Sequence, residues 1–165
     1  VRPGSGTYVL VNTFETANAV IENANPLELI DTRFALEPHI CRLAVLYARP
    51  AELDRADKLL AQMDNCVNDL ERFSAADTAF HTLLAKTTGN QLLIWIVEQI
   101  NGVRNQKQWA QMRRMTLTEK TISQYNLHHR QIIDAIRARE PEQAATAMQD
   151  HLESARLSLT RVAST

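Results

Sequence analysis

Residues 50–67 read PAELDRADKLLAQMDNCV, and they set the pattern that most of the chain follows. Apolar side chains recur in this stretch at every third or fourth position: Leu53, Ala56, Leu59, Leu60, Met63 and Val67. That spacing places them on one face of an α-helix and leaves the charged residues on the other. A helix with one apolar face must bury it against a neighbour, so the stretch predicts a helical bundle.

The same periodicity predicts five more helices, separated by residues that start or stop a helix. The predicted spans are 26–47, 74–88, 90–109, 117–139 and 141–162. Pro26 and Pro141 stand where a first helical turn accepts proline, and Gly89 stands where a helix ends. Short connections between such helices favour antiparallel neighbours. We therefore predict an all-α fold, an antiparallel bundle of about six to seven helices.

Composition and charge narrow the class of protein. The chain has 165 residues, of which 45% are hydrophobic and 22% charged, an ordinary balance for one globular domain. Eighteen Lys and Arg against 19 Asp and Glu leave a net charge of −1, which is not the basic footprint of a chain that binds nucleic acid unaided. Cys41 and Cys66 lack zinc-finger spacing and are predicted to be buried free thiols. No apolar run approaches a membrane span, so we expect a cytoplasmic protein.

The first residues differ from the rest of the chain. Residues 1–11 read VRPGSGTYVLV, a Pro/Gly turn followed by β-branched and aromatic residues, which is typical of the second strand of a hairpin. A lone strand cannot bury its face or pair its backbone. We interpret residues 1–11 as the remnant of another domain, 12–26 as a linker and 27–165 as the helical domain.

Three predicted helices each direct a histidine toward the interior. Asp77 and His81 are four residues apart and share one helix face, while His129 and His151 lie in apolar stripes of two other helices. Separate buried imidazoles would each need a polar partner, whereas one divalent ion would use all four groups. Spacing alone does not show that the helices converge, so a metal site and separate core histidines both stay open.

Several short segments then match one family in order. They are RFALEP (33–38), DTAFH (77–81), GN (89–90), HRQI (129–132), AI (135–136) and HL (151–152). Together they resemble the FCD effector-binding domain, the C-terminal domain of FadR-branch GntR transcription regulators. Residues 2–9, RPGSGTYV, resemble the end of the wing in the winged helix-turn-helix domain that precedes it. The resemblance implies a homodimeric regulator that contacts DNA only through that winged-helix domain, whose recognition helix this chain lacks.

The resemblance also implies a ligand set and an effector. In metal-binding members, the matching positions hold a divalent ion, here Asp77, His81, His129 and His151. Zinc is favoured, with nickel, manganese or iron as alternatives, and open coordination positions suit a small carboxylate effector. Arg33 matches an arginine expected to clamp that carboxylate, and Arg104 is a second, weaker candidate.

Other interpretations stay open beside this one. Arg33 also has the i,i+4 spacing of an ion pair with Glu37, Arg104 could be solvated, and Asn90 could simply cap a helix. The same ligand set could serve a metal-dependent hydrolase or isomerase, which would need a general base near the ion, or a purely structural ion. We expect a sensor domain without catalytic residues.

Overall fold

A computed structural model of the chain describes residues 19–20, 22–104 and 106–163. The predicted wing strand, residues 1–11, lies outside the described residues, as do 12–18 and 21 of the predicted linker. Within the described part, helical residues 19–20 and 22–23 precede the first long helix.

Seven long helices make up the described chain, and it contains no strand. They are α1 (Pro26–Tyr47), α2 (Pro50–Asp64), α3 (Leu70–Thr87), α4 (Gln91–Arg104), α5 (Lys107–Thr116), α6 (Glu119–Arg137) and α7 (Pro141–Ala163). The prediction of an all-α bundle of six to seven helices is confirmed.

Two of the predicted helix boundaries are wrong. Helix α3 begins at Leu70 rather than near Ser74, because the Asp69 side chain accepts a hydrogen bond from the Arg72 backbone N–H and caps the helix one turn earlier. The helix predicted to run from Asn90 to Trp109 is two helices, since α4 ends at Arg104 and α5 begins at Lys107. The weak helical signal at Gly102 lies one turn before this break.

Helix α1 packs most extensively against α7, and α7 against α6, so these three form the centre of the bundle. Helix α3 packs on α2 and also contacts α1 and α4. The core residues of this centre are fully buried: Ile30, Ile40, Phe73, Phe80, Ile122, Ile132, Met148 and Leu152. The three predicted ligand-bearing helix faces therefore meet where α1, α3, α6 and α7 converge.

The turn after α3 brings α4 back across the bundle. Gly89 has φ of 67°, the left-handed conformation that ends a helix and that glycine adopts without strain. Asn90 then accepts hydrogen bonds from the backbone N–H groups of Leu92 and Leu93, so its side chain caps α4 as the simpler interpretation predicted.

Both cysteines are buried free thiols, as predicted. No described helix combines the length and apolarity that a membrane crossing needs.

Candidate metal centre

The four predicted ligands come together in the middle of the bundle. Asp77 and His81 on α3, His129 on α6 and His151 on α7 each offer a ligand atom, and these atoms all lie within 4.8 Å of one another. All four side chains are buried. The i,i+4 spacing on α3 places two of them on one helix face, and the apolar stripes of α6 and α7 turn the other two toward it.

The facing atoms have the separations expected around one ion. Asp77 Oδ1 lies 3.3 Å from His129 Nε2 and 3.6 Å from His81 Nε2. Metal–ligand bonds of about 2.1 Å place adjacent donor atoms about 3.0–3.4 Å apart. The rings also pack together, with the His129 and His151 centroids 4.4 Å apart. Little displacement is therefore needed to form a coordination shell.

Unsatisfied polar atoms give an independent test of whether a metal fits. Among the described residues, Asp77 Oδ1, both ring nitrogens of His129 and Nδ1 of His151 are buried without a hydrogen-bond partner. Such atoms are rare in native interiors, because each one forfeits its hydration. A divalent cation is a partner that carboxylate oxygen and neutral imidazole nitrogen share. The residues present fit a metal ion.

His129 and His151 are held in the neutral form that binds metals. The pKa of His129 is lowered to about 3, mainly by burial, with Asp77 opposing the shift and His81 and Arg33 adding to it. Burial also lowers the pKa of His151 well below its usual value, with His129 and His81 acting in the same direction. Burial alone would raise the pKa of Asp77, but the charges of Arg104 and Arg113 and the contact with His81 together outweigh it and hold that pKa well below its usual value.

The metal-free chain should therefore lose stability as the pH falls from about 6.5 toward 3. In this window the unfolded histidines bind protons and the folded His129 and His151 do not, so the proton-binding difference favours unfolding. From about pH 6.5 to about pH 5, the free energy of unfolding should fall by roughly 1.6 kcal/mol for each histidine kept neutral. Urea unfolding in the presence of a chelator measures it.

His129→Asn tests the origin of that pH dependence, because it removes one buried imidazole and keeps a polar side chain. Between about pH 6.5 and pH 5, His129→Asn should lose clearly less unfolding free energy than the wild-type chain. His39→Asn removes an exposed imidazole of α1 and should lose nearly as much as the wild type. Equal slopes in the two variants would contradict this account.

Two residues beside the ligands were not singled out as site residues from the sequence. Glu37 receives two hydrogen bonds from Arg33, with Arg33 Nε 2.7 Å from Oε1 and Nη2 3.1 Å from Oε2. Its Oε2 also lies 2.9 Å from His81 Nδ1. Glu37 therefore lies against the Nδ1 edge of His81, the position from which a carboxylate orients a metal-binding histidine. The spacing of Arg33 and Glu37 signalled their pairing but not this contact with α3.

The second residue is Arg113 on α5. Its Nη2 lies 3.5 Å from Asp77 Oδ2, and its Nε donates to Ser74 Oγ at 3.3 Å. The guanidinium also lies over the rings of Phe73 and Trp109 at 5.8 and 5.9 Å from the centroids. No sequence signal predicted this contact, because the break between α4 and α5 directs Arg113 back toward α3.

Both predicted effector arginines border the cluster. Arg33 forms the predicted ion pair with Glu37, and its Nη2 also lies 3.0 Å from His81 Nε2. Arg104 is buried and donates to Asp77 Oδ2, so the solvated interpretation of Arg104 is wrong. Burial lowers the pKa of Arg104 to about 10 against the opposing effect of Asp77.

The two other histidines and the two tryptophans divide between surface and core. His39 is exposed and His128 is half-buried, with its ring centroid 6.2 Å from that of His151. Trp109 is buried, whereas Trp95 on α4 is 57% exposed.

Comparison with known proteins agrees with this architecture. A family model described as "FCD domain" matches residues 28–154, which is most of the chain. The chain belongs to the FCD domain family. The resemblance to the effector domains of GntR-type regulators is thereby confirmed.

Named relatives of this FCD domain are transcription regulators. The Uxu operon regulator of Haemophilus influenzae is 28% identical over 162 residues, which cover 96% of this chain and 61% of the relative. The Exu regulon transcriptional regulator of Escherichia coli strain K12 is 28% identical over 166 residues, covering 96% of this chain and 63% of the relative. The chain thus spans about six-tenths of the length of these relatives. Their names support the expectation that this domain is not an enzyme.

A solved structure shares the fold. The Streptococcus agalactiae GntR structure superimposes with a TM-score of 0.64 at 26% sequence identity, covering 94% of this chain and 72% of that chain.

Proposed function

We propose that this FCD domain is a metal-dependent sensor for a small organic acid in a transcription regulator. The observation that supports the proposal is the buried cluster of Asp77, His81, His129 and His151, in which Asp77 Oδ1, both ring nitrogens of His129 and Nδ1 of His151 have no hydrogen-bond partner. These four side chains would hold one divalent ion, with zinc favoured and nickel, manganese or iron as alternatives. A bound ion would supply positive charge and open coordination positions to an anionic effector.

The surrounding side chains suit that ligand. Arg33 and Arg104 are buried beside the cluster, and their remaining N–H groups would donate charge-assisted hydrogen bonds to carboxylate groups of the effector. Glu37 would keep Arg33 and His81 oriented through the contacts described above. The effector would act by binding one domain arrangement better than another.

DNA binding would belong to a winged-helix domain. We interpret residues 1–11 as a remnant of the wing of that domain, 12–26 as a linker and 27–165 as the sensor domain. We also propose a homodimer. Two large apolar side chains on α4, Leu92 and Trp95, are 64% and 57% exposed and would be covered in such a pair.

The alternative of a metal-dependent hydrolase or isomerase has less support. Such an enzyme needs a general base near the ion. Among the described residues, the buried carboxylates are Glu37 and Asp77. Both oxygens of Glu37 contact Arg33, and Asp77 faces two arginines and two histidines. Glu37 is committed to Arg33, and Asp77, whose Oδ1 has no other partner, would be committed to the ion, so neither carboxylate is left to act as a general base.

A thermal-shift screen of metabolic carboxylates, run with and without chelator, tests the proposed function. At least one acid should raise the melting temperature of the metal-loaded chain, since a ligand at 100 times its dissociation constant adds about 2.7 kcal/mol of stability. The same acid should have no effect after chelation or in His151→Ala, and a full effect in the control His39→Ala.

Two outcomes would overturn the proposal. A melting temperature that responds to metal but to no acid would indicate a purely structural ion. Turnover of an acid or ester by the purified chain, abolished by Asp77→Ala, would favour the enzyme.

A further inference from the structure

A pocket of about 590 Å³ opens beside the metal cluster, between α3, α4 and α5. Its lining includes Arg104, Arg113 and Trp109 together with Ser74 and Thr78. Arg104 and Arg113 line this pocket and also contact Asp77, so these two arginines connect the pocket to the metal cluster. Its volume is within the range of pockets that hold small organic ligands.

Buried charges at this place do not balance. Among the described residues, the buried cations are Arg33, Arg104 and Arg113, whereas the buried acids are Glu37 and Asp77. Glu37 pairs with Arg33, which leaves the single charge of Asp77 to face both remaining arginines. The cluster therefore carries one excess positive charge, and a divalent cation at Asp77 would raise the excess to three.

Hydrogen bonding at the pocket is also incomplete. Arg104 Nε and Nη1 are buried and have no hydrogen-bond partner among the described residues. Arg113 makes two long contacts, at 3.3 Å to Ser74 and 3.5 Å to Asp77. The N–H donors of buried guanidinium groups are normally paired with acceptors, and anionic acceptors pair with them most strongly. The unused donors and the excess charge occur on the same two side chains, at the wall of the same pocket.

We propose that Arg104 and Arg113 form a second anion subsite, so that the effector carries at least two anionic groups. This inference rests on the proposed function, in which the first anionic group binds beside Arg33 and the metal cluster. The second group would lie in the pocket against the two arginines, with the Ser74 hydroxyl as a further donor. A dicarboxylate or a phosphorylated acid meets this requirement, and a monocarboxylate of the same length leaves the subsite unfilled.

Matched acids that differ in one charged end test the inference. The probes are glutarate against valerate, adipate against hexanoate, and galactarate against galacturonate, titrated calorimetrically into the zinc-loaded chain. For at least one pair the dianion should bind at least about tenfold more tightly, because it satisfies two charge-assisted contacts instead of one. In a Trp95→Phe background, the single remaining tryptophan, Trp109, should change its fluorescence with the dianion.

Substitutions in α5 test whether the preference for the dianion depends on the proposed subsite. Arg113→Gln should reduce the tenfold preference to less than about threefold without changing the zinc content, and Arg113→Lys should retain part of it because the charge remains. Lys107→Gln removes a positive charge from an exposed position of the same helix and should keep the full preference.

The outcomes separate the two proposals. Equal binding of both acids in every pair, or a preference that survives Arg113→Gln, would overturn the second subsite and leave the metal-dependent sensor intact. Failure of every acid to bind, with or without zinc, would overturn both.

Discussion

Removing the divalent ion should lower the melting temperature of the wild-type chain by about 5–11 °C. An ion present at 100 times its dissociation constant stabilises the folded state by about 2.7 kcal/mol, and for a domain of this size each kcal/mol corresponds to about 2–4 °C. The physical reason is that folding alone brings Asp77, His81, His129 and His151 within 4.8 Å of one another, so the unfolded chain offers no equivalent site. Calorimetry of metal-loaded and chelated protein measures the difference.

Two variants make this expectation specific. His129→Ala removes a ligand from α6, and its melting temperature should not respond to the chelator. His39→Ala removes an exposed imidazole from α1 and should show the full wild-type response. Metal analysis should find close to one ion per chain in wild type and His39→Ala. A chelator effect of equal size in His129→Ala would show that the ion binds elsewhere.

Arg33→Met should destabilise the metal-free chain by about 3–5 kcal/mol. Arg33 is 2% exposed, and its guanidinium neutralises Glu37. Burial alone would raise the pKa of Glu37, but the charge of Arg33 and the contacts with Arg33 and His81 hold that pKa below its usual value. Removing the arginine would leave an ionised carboxylate in the core without its partner, and urea unfolding measures the cost.

An exposed pair with the same geometry provides the control. Arg42 donates from Nε and Nη2 to Glu142 Oε1 and Oε2, both at 2.8 Å, but the pair lies at the surface. Arg42→Met should therefore change stability little, because water solvates the carboxylate that remains. The double variant Arg33→Met/Glu37→Leu should be more stable than Arg33→Met, since no unpaired charge is left. An equal loss of unfolding free energy in Arg33→Met and Arg42→Met would contradict the expectation that burial makes the Arg33–Glu37 pair the more costly one to break.

Much of the fold was predictable because its signals are local. The apolar spacing of residues 50–67 follows from the period of one helix, and Gly89 ends α3 through its own backbone conformation. The two helix boundaries that were predicted wrongly depend on features that the apolar spacing does not show. Asp69 caps α3 before the apolar stripe begins, and the break after Arg104 interrupts a stretch whose residues favour helix.

The candidate site was predictable in part for the same reason. Asp77 and His81 share a helix face by their spacing, and the Arg33–Glu37 pair follows from an i,i+4 spacing. The contact of Glu37 with His81, and that of Arg113 with Asp77, join side chains that lie 44 and 36 residues apart in sequence. No periodicity within one helix encodes such pairs.

The amino-acid sequence alone determined the helical class, the faces that carry the histidines and the resemblance to the FCD family, because each depends on short-range spacing or local motifs. Tertiary structure decided that α3, α6 and α7 bring their polar atoms to one point, that Arg104 is buried, and that Arg113 completes the pocket. These outcomes depend on how the helices pack, which a pattern within a single helix does not specify. The tertiary structure also decided the excess of positive charge, because packing buries Arg33, Arg104 and Arg113 with only two acids and leaves the other described arginines in contact with water.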